Sequence, residues 1–263
     1  MGNRQLRIAV LSSAIVLLLG AVVFAQQPPT SRGSDSLNAE QIVELATQVY
    51  AKCDSYRDSG VAATTYTSED RQWTGEKPFT TVFVRPSRIR FEYQDMSAGD
   101  PPPSYIIWAD GNDVRTWSDV EPGVNRPATV SMAIAGAAGV SQGTSHRIPS
   151  MLRPEPSASK SALELNYARR IEDGDVDGFD CFRIGGQSIR TPKTLGSGDT
   201  GIVLHENSST IWIDKQSYLV RRVDESNVYD SFSTDTVTTY NPEINVEIPS
   251  ELLEFGAPEI PDS

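Results

Sequence analysis

Chemistry needs reactive side chains in workable groups, and this chain offers few. Its two histidines are His146, in Gly143-Thr144-Ser145-His146, and His205, in Val203-Leu204-His205-Glu206. Nucleophilic catalysis needs such a base beside a Ser or Cys, and no G-x-S-x-G elbow accompanies either one. Two histidines are also too few for a His-rich metal centre. Acids are plentiful, at 35 Asp+Glu, but nothing in their spacing selects a pair for general acid–base work. The run Asp173-Gly174-Asp175-Val176-Asp177-Gly178 matches the first six positions of a calcium loop, D-x-D-x-D-G. Position 12 should then be a bidentate acid, and Ile184 stands there. Residues 179–184 also read as a strand, so an acidic hairpin turn is the simpler expectation. Cys53 and Cys181 are the only cysteines, too few for a structural zinc site. In an oxidising compartment they could form one disulfide, credited with ~4–5 kcal/mol for so long a loop. The alternative is two buried thiols. No metal, cofactor or catalytic residue is assigned.

Length and charge narrow the class. The 263 residues carry 23 Lys+Arg and a net charge of −12. An acidic surface argues against nucleic acid, which needs a basic stripe, and against anionic membrane surfaces. A 38% hydrophobic content with four Trp excludes a wholly disordered chain. Arg4 and Arg7 precede an apolar run at 8–24 that ends in Val23-Phe24-Ala25, an A-x-A-like site. Residues 1–25 therefore read as a cleaved signal peptide, with an uncleaved anchor as the alternative. Export fits a disulfide. Residues 26–36 read as a flexible leader and 259–263 as a mobile tail.

The elements follow from periodicity. Asn38 with Gln41 forms a capping box, and Leu37 with Ile42 a hydrophobic staple. Ile42, Leu45, Val49, Cys53 and Tyr56 recur on one helical face, so the helix is expected to run to Ser59-Gly60. By Phe79 the period is two. Phe79, Thr81, Phe83 and Arg85 share one strand face. Ile89, Phe91 and Tyr93 oppose Arg88, Arg90 and Glu92. Residues 105–109 and 113–118 are strands joined by the turn Asp110-Gly111-Asn112. Residues 127–151 are rich in Ala, Gly and Ser, with a helix expected at 128–138, and Pro149, Pro154 and Pro156 break the chain. Strands resume at 163–172 and 179–186. Residues 187–208 read as a loop, and strands follow at 209–214, 218–224 and 234–240. An antiparallel sheet of roughly nine to eleven strands must curl or split. With an N-terminal helix and a central helical segment against its concave face it would enclose an apolar cavity. Phe83, Phe91, Trp108, Trp117, Met132, Ile134, Ile148 and Trp212 are the candidate lining residues, with an ordinary hydrophobic core as the alternative. Asn207-Ser208-Ser209 is a glycosylation sequon in a host that glycosylates.

Three stretches carry a family resemblance. Residues 81–122 contain TVFVRPSRIRFEY and then SYIIWADGNDVRTWSDVEP; residues 210–223 read TIWIDKQSYLVRRV; residues 245–258 read NVEIPSELLEFGAP. In this order they resemble the LolA-like superfamily, the periplasmic carriers of outer-membrane lipoprotein sorting. The resemblance spans most of residues 37–258, a single carrier domain. It implies a mainly β (α+β) fold, a half-open antiparallel β-barrel of about 9–11 strands with helices as a lid. It further implies a monomeric periplasmic carrier, not an enzyme, that holds the acyl chain of a lipoprotein or lipid between an inner-membrane exporter and an outer-membrane receptor. The arginine of the family's Arg-Pro motif, here Arg85, would tether the lid, with an exposed strand-end arginine or a surface ion pair as the alternative. Strand parity agrees, because an Arg among Phe residues is costly unless its donors meet carbonyls or an acid. The chain departs from the family in its length at 187–208, in its central segment and in its two cysteines. A sensor or partner-binding module on the same fold is the alternative function, and a secreted hydrolase using His146 or His205 the third.

Overall fold

A computed structural model describes residues 36–120, 123–153, 162–189, 194–195 and 202–257. The signal peptide expected at 1–25, nearly all of the leader expected at 26–36, Pro154, Pro156 and the tail expected at 259–263 lie outside those residues.

The first helix, α1 (Ala39–Lys52), starts as the sequence predicts. Asn38 Oδ1 accepts from Gln41 N at 2.9 Å, and Asn38 N donates to Gln41 Oε1 at 3.0 Å. Two of the helix's orphan donors are thereby satisfied. Its end differs from expectation. Cys53 is already extended, and Ser55 opens β1 (Ser55–Ser68). Tyr56 thus sits on a strand, because pairing on both sides of β1 outweighs the local helical spacing. The buried face of α1 is Ala39, Ile42, Ala46 and Tyr50.

Along the chain follow β2 (Gln72–Val84), β3 (Arg88–Gln94), β4 (Ser104–Asp110), β5 (Asp113–Ser118) and β6 (Val124–Asn125). Then come α2 (Val130–Ala138), α3 (Thr144–Leu152), β7 (Leu165–Val176), β8 (Phe179–Ser188) and β9 (Thr194–Leu195). The chain continues with β10 (Ile202–Asp214), β11 (Val220–Tyr229), β12 (Phe232–Tyr240), β13 (Glu243–Ile244) and a 3-10 turn at Ser250–Leu253. The sheet runs β6-β5-β4-β3-β2-β1-β12-β11-β10-β8-β7, with β13 beside β1 and β9 beside β10. Every pairing is antiparallel. Two meanders are thus joined where β1 meets β12, and β6 and β7 are left as edges. Among the described residues this is an open, mainly β architecture with three α-helices.

Two local expectations are overturned. The loop expected through 208 contains β9 and the start of β10. Its polar residues His205, Glu206 and Asn207 hide the strand period, and Leu204 to Ile213 pair with β11 all the same. Pro149 lies inside α3 and does not end it. Burial of Ile148, Met151 and Leu152 holds that helix against the missing backbone donor.

The core lies between the helices and one face of the sheet. Phe79, Phe83, Ile89, Phe91, Ile107, Phe182, Ile184, Ile211 and Ile213 alternate out of five strands toward Ile42, Ala46, Ile134, Ile148 and Leu152 of the helices. Each such side chain contributes ~1.5–3 kcal/mol on burial, so the helix layer is held mainly by this apolar seam.

Candidate functional site

Strand register sorts the candidate lining residues. Phe83, Phe91, Ile134 and Ile148 belong to the buried cluster under the helices. The other four do not face that interior. Trp108 is paired between Arg90 and Arg115, on the face opposite Phe91 and Ile107. Its indole Nε1 donates to Leu253 O at 2.6 Å, and the Arg115 guanidinium stacks on it. Trp117, opposite Ile106, shares that convex side. Trp212, between Arg183 and Arg222, donates to Asp224 and is covered by the Arg183 guanidinium. Met132 is 58% exposed. Aromatic content alone cannot tell the two faces apart. Parity carried across the register can, since each of Trp108 and Trp212 aligns with arginines.

Arg85 meets helix carbonyls, as strand parity demands. Its Nε donates to Cys53 O at 2.8 Å and its Nη2 to Tyr50 O at 3.3 Å, with the guanidinium over Phe83. These are the C-terminal carbonyls of α1. The fastened element is the N-terminal helix and not the central pair. A second arginine, which the sequence did not single out, grips the other end. Arg170 Nη1 on β7 donates to Leu37 O at 3.1 Å, just before the N-cap. Its Nε and Nη2 bind Asp173 at 3.1 and 2.6 Å, and its guanidinium covers Phe182. The i,i+3 spacing of Arg170 and Asp173 was the available signal, masked by the calcium-like pattern. Asp173 is also paired with Lys215 at 2.9 Å, and Asp175 accepts from Gly178 N. Residues 173–176 are the end of β7, and the turn expected at 173–178 is confined to Asp177-Gly178, because the β7–β8 pairing continues to Val176 and Phe179; no metal-binding group of three ligands occurs among the described residues.

The expected Cys53–Cys181 bridge is not formed; both cysteines are free and buried. Cys53 Sγ donates to Tyr50 O at 3.2 Å and Cys181 Sγ to Phe179 O at 3.3 Å. Each thiol is satisfied locally. Burial pushes the Cys53 thiol up and the Cys181 thiol up to about 12, so neither is a reactive thiolate at neutral pH.

A polar cluster interrupts the apolar interior. Arg147 of α3 pairs with Glu225 of β11 at 2.9 Å, both largely buried. Burial opposes the charge, yet Glu225 and Tyr240 keep the guanidinium firmly protonated. Tyr50 OH accepts from Val220 N at 2.9 Å. Tyr56 OH donates to Asp58 Oδ2 at 2.6 Å. Burial raises the Asp58 carboxyl to about 6. Sequence reasoning missed Asp58 and Tyr56 because it ended the helix beyond them.

The histidines are apart. His205 pairs with Asp230 on the surface, while His146 Nδ1 faces Ser150 within α3 at 3.1 Å. Asn207 of the sequon donates to Ser188 O within the sheet. On the convex side a shallow groove of about 570 Å³ is lined by Ser59, Val61, Pro78, Thr80, Glu92 and Gln94. No helix among the described residues is long and apolar enough to cross a membrane.

No protein-family model and no curated protein matches the chain. Among solved structures it is similar to a LolA superfamily protein from Nitrosomonas europaea, at 9% identity over 83% of this chain and 98% of that one, TM-score 0.32. It is also similar to the Mycobacterium tuberculosis lipoprotein LppX, at 10% identity over 79% and 95%, TM-score 0.37. A third is the Pseudomonas aeruginosa MucA/MucB complex, at 8% identity over 83% of this chain and 61% of that one, TM-score 0.40.

Proposed function

We propose that residues 37–258 form a periplasmic carrier domain that takes the acyl chain of a lipoprotein or lipid between the sheet and its helices. The observation that carries this reading is how α1 is fastened. The helix lies over a largely apolar sheet face, and arginine side chains hold carbonyls at its C-terminal end and just before its N-cap. Hydrogen bonds to charged groups contribute ~1.5–3 kcal/mol each, so Arg85 and Arg170 secure the helix by a few kcal/mol beyond its apolar seam. An acyl chain of about 14 carbons supplies on the order of 10 kcal/mol gross on burial, at ~0.8 kcal/mol per CH₂. That is enough to displace the seam and repack α2, whose small residues Ala133, Ala135, Gly136, Ala137 and Ala138 leave room for rearrangement. On this reading residues 1–25 direct export and are cleaved, and the cargo passes from an inner-membrane exporter to an outer-membrane receptor. The chemistry needs no cofactor.

Arg85→Leu is expected to release a bound acyl probe about tenfold faster, because losing ~1.5 kcal/mol of closed-state stabilisation is about a factor of ten. Stopped-flow release of a fluorescent fatty acyl probe from both forms measures this. Equal rates would show that Arg85 does not control retention. The carrier reading itself is tested by native mass spectrometry of the mature chain isolated gently from a bacterial periplasm. Discrete added masses of lipids or an acylated protein are expected, and a bare chain that also fails to take up added acyl probe would overturn the reading.

A second reading, a partner-binding module, is favoured by one observation. Trp73, 50% exposed, stacks on Tyr66, with Tyr229 stacked on Phe232 at a nearby strand end. The exposed Trp73 suits a protein anchor. Co-purification of a stoichiometric protein without lipid would select this reading over the carrier.

A further inference from the structure

The ring-bearing face of the sheet does not end where the helices do. Lys77 Nζ donates to Val140 O at 2.8 Å and Gln142 Nε2 to Tyr66 OH at 3.5 Å. The turn between α2 and α3 therefore rests on β1 and β2 at that point. An even spacing from Phe79 to Trp73 along β2, and from Tyr56 to Tyr66 along β1, keeps both rings on the side that the helices cover elsewhere. Tyr66 pairs with Trp73 in register and stacks on it, with centroids 4.9 Å apart. On the other side of β1, Ser68 aligns with Phe232 of β12, whose ring stacks on Tyr229 of β11 at 4.7 Å. The strands β2, β1, β12 and β11 are neighbours in that order, so their rings form one row. Met96 N donates to Glu76 O at 3.0 Å, and the Trp73, Met96 and Val140 side chains are all exposed.

Clustered exposed apolar side chains mark contact surfaces, and Trp and Tyr anchor them because a large ring loses little conformational freedom on docking. The charges around the row choose the partner. Glu69 and Asp70 cap the β1–β2 hairpin beside Trp73, and Asp100 lies in the loop that carries Met96. All three are exposed, and none is in an ion pair among the described residues. Lys77 is spent on Asp95 and Val140 O, and His205 on Asp230. Arg71 is the cation of the β1–β2 hairpin. With a net charge of −12 over the chain, this surface repels anions and attracts Lys and Arg. A second copy of the chain would set acid against acid and is a poor occupant.

We propose that the row formed by Tyr66, Trp73, Tyr229 and Phe232 is a docking surface for a basic amphipathic peptide segment of a partner protein. Apolar side chains of the segment lie on the rings, and its Lys or Arg side chains face Glu69 and Asp70. This rests on the partner-binding reading above, and it holds whether or not an acyl chain enters the interior. The rings are already stacked in pairs, so little order has to be imposed when the segment docks.

The test uses three fluorescein-labelled peptides of about 14 residues, patterned as amphipathic helices. One is built of Leu and Lys, one of Leu and Glu, and one of Ser and Lys. Their affinities for the mature chain are measured by fluorescence anisotropy at low salt. The Leu/Lys peptide is expected to bind at least about tenfold more tightly than either of the others. Trp73→Ala should weaken it about thirtyfold, the ratio for a hot-spot ring, while Trp73→Phe keeps most of the affinity. Met132→Ala, at an exposed apolar residue of α2 outside the row, should change nothing. Glu69→Gln with Asp70→Asn should weaken binding about threefold, a difference that vanishes at ~0.5 M salt. Equal binding of the Leu/Lys and Leu/Glu peptides, both lost in Trp73→Ala, overturns the basic partner and leaves the partner-binding reading standing. Leu/Lys affinity unchanged in Trp73→Ala overturns the docking surface. Failure of all three peptides to bind overturns the proposal together with the partner-binding reading. Trp73-dependent sedimentation with phosphatidylcholine vesicles in that case assigns the row to a bilayer surface.

Discussion

Arg147→Leu is expected to destabilise the fold by ~3–5 kcal/mol, the cost of stranding a buried charge. The guanidinium is the polar link between α3 and β11, at 2.9 Å from Glu225, and its removal leaves that carboxylate under the helices without a cation. Unlike the apolar seam, this link cannot slide, so it sets where α3 sits on the sheet. The double variant Arg147→Leu/Glu225→Leu should recover most of the loss, because replacing a buried pair by apolar residues is often neutral. Urea denaturation of the parent, both single variants and the double variant measures the coupling. Additive losses would show that the pair is solvated and contributes little.

Asp58→Asn should do the opposite and stabilise the protein at neutral pH. Burial lifts the folded-state carboxyl to about 6 from an ordinary value of 3.8. Below about pH 4 both folded and unfolded chains are protonated there and the site carries no penalty. Between about pH 4 and 6 the unfolded chain ionises first, so stability falls as pH rises. Above that window the deficit is constant, at up to ~3 kcal/mol for a shift of this size. Asn keeps an acceptor for the Tyr56 hydroxyl and has no charge to bury. The variant should match the parent near pH 4 and exceed it by ~2–3 kcal/mol at pH 8. Parallel stability–pH profiles for the two proteins would remove Asp58 as the cause.

Local signals were legible where the chain itself supplies both partners. Asn38 and Gln41 are three residues apart, so the capping box that starts α1 could be read before any tertiary contact was known. The two-residue alternation of Phe79, Phe83, Phe91 and Tyr93 marked one sheet face, and it placed Arg85 where only carbonyls or an acid could satisfy it. The same rule could not be extended to Trp108, Trp117 and Trp212 without the register that aligns each strand with its neighbours. The end of α1 was misread for a related reason. The helical spacing of Cys53 and Tyr56 is real, but β1 gains partners on both sides from β2 and β12, and those come from distant parts of the chain.

Pairings between distant residues were hidden. Cys53 and Cys181 suggested a bridge because they are the only two thiols, yet each bonds a carbonyl nearby in its own segment. Arg170 looked like one charge among many until β7 brought it to Leu37, and Asp173 read as part of an acidic turn until the fold set it in β7 between Arg170 and Lys215. The acidic balance, the helix start, the turn after Asp110 and the antiparallel class were settled by the sequence, because composition and short-range spacing act within a few residues. Which faces became the interior, which end of which helix the two arginines hold, and that Asp58 meets Thr81 in the buried interior were decided by tertiary structure. Those facts depend on strand register and on contacts between segments far apart in the chain, and neither is written in any local stretch of residues.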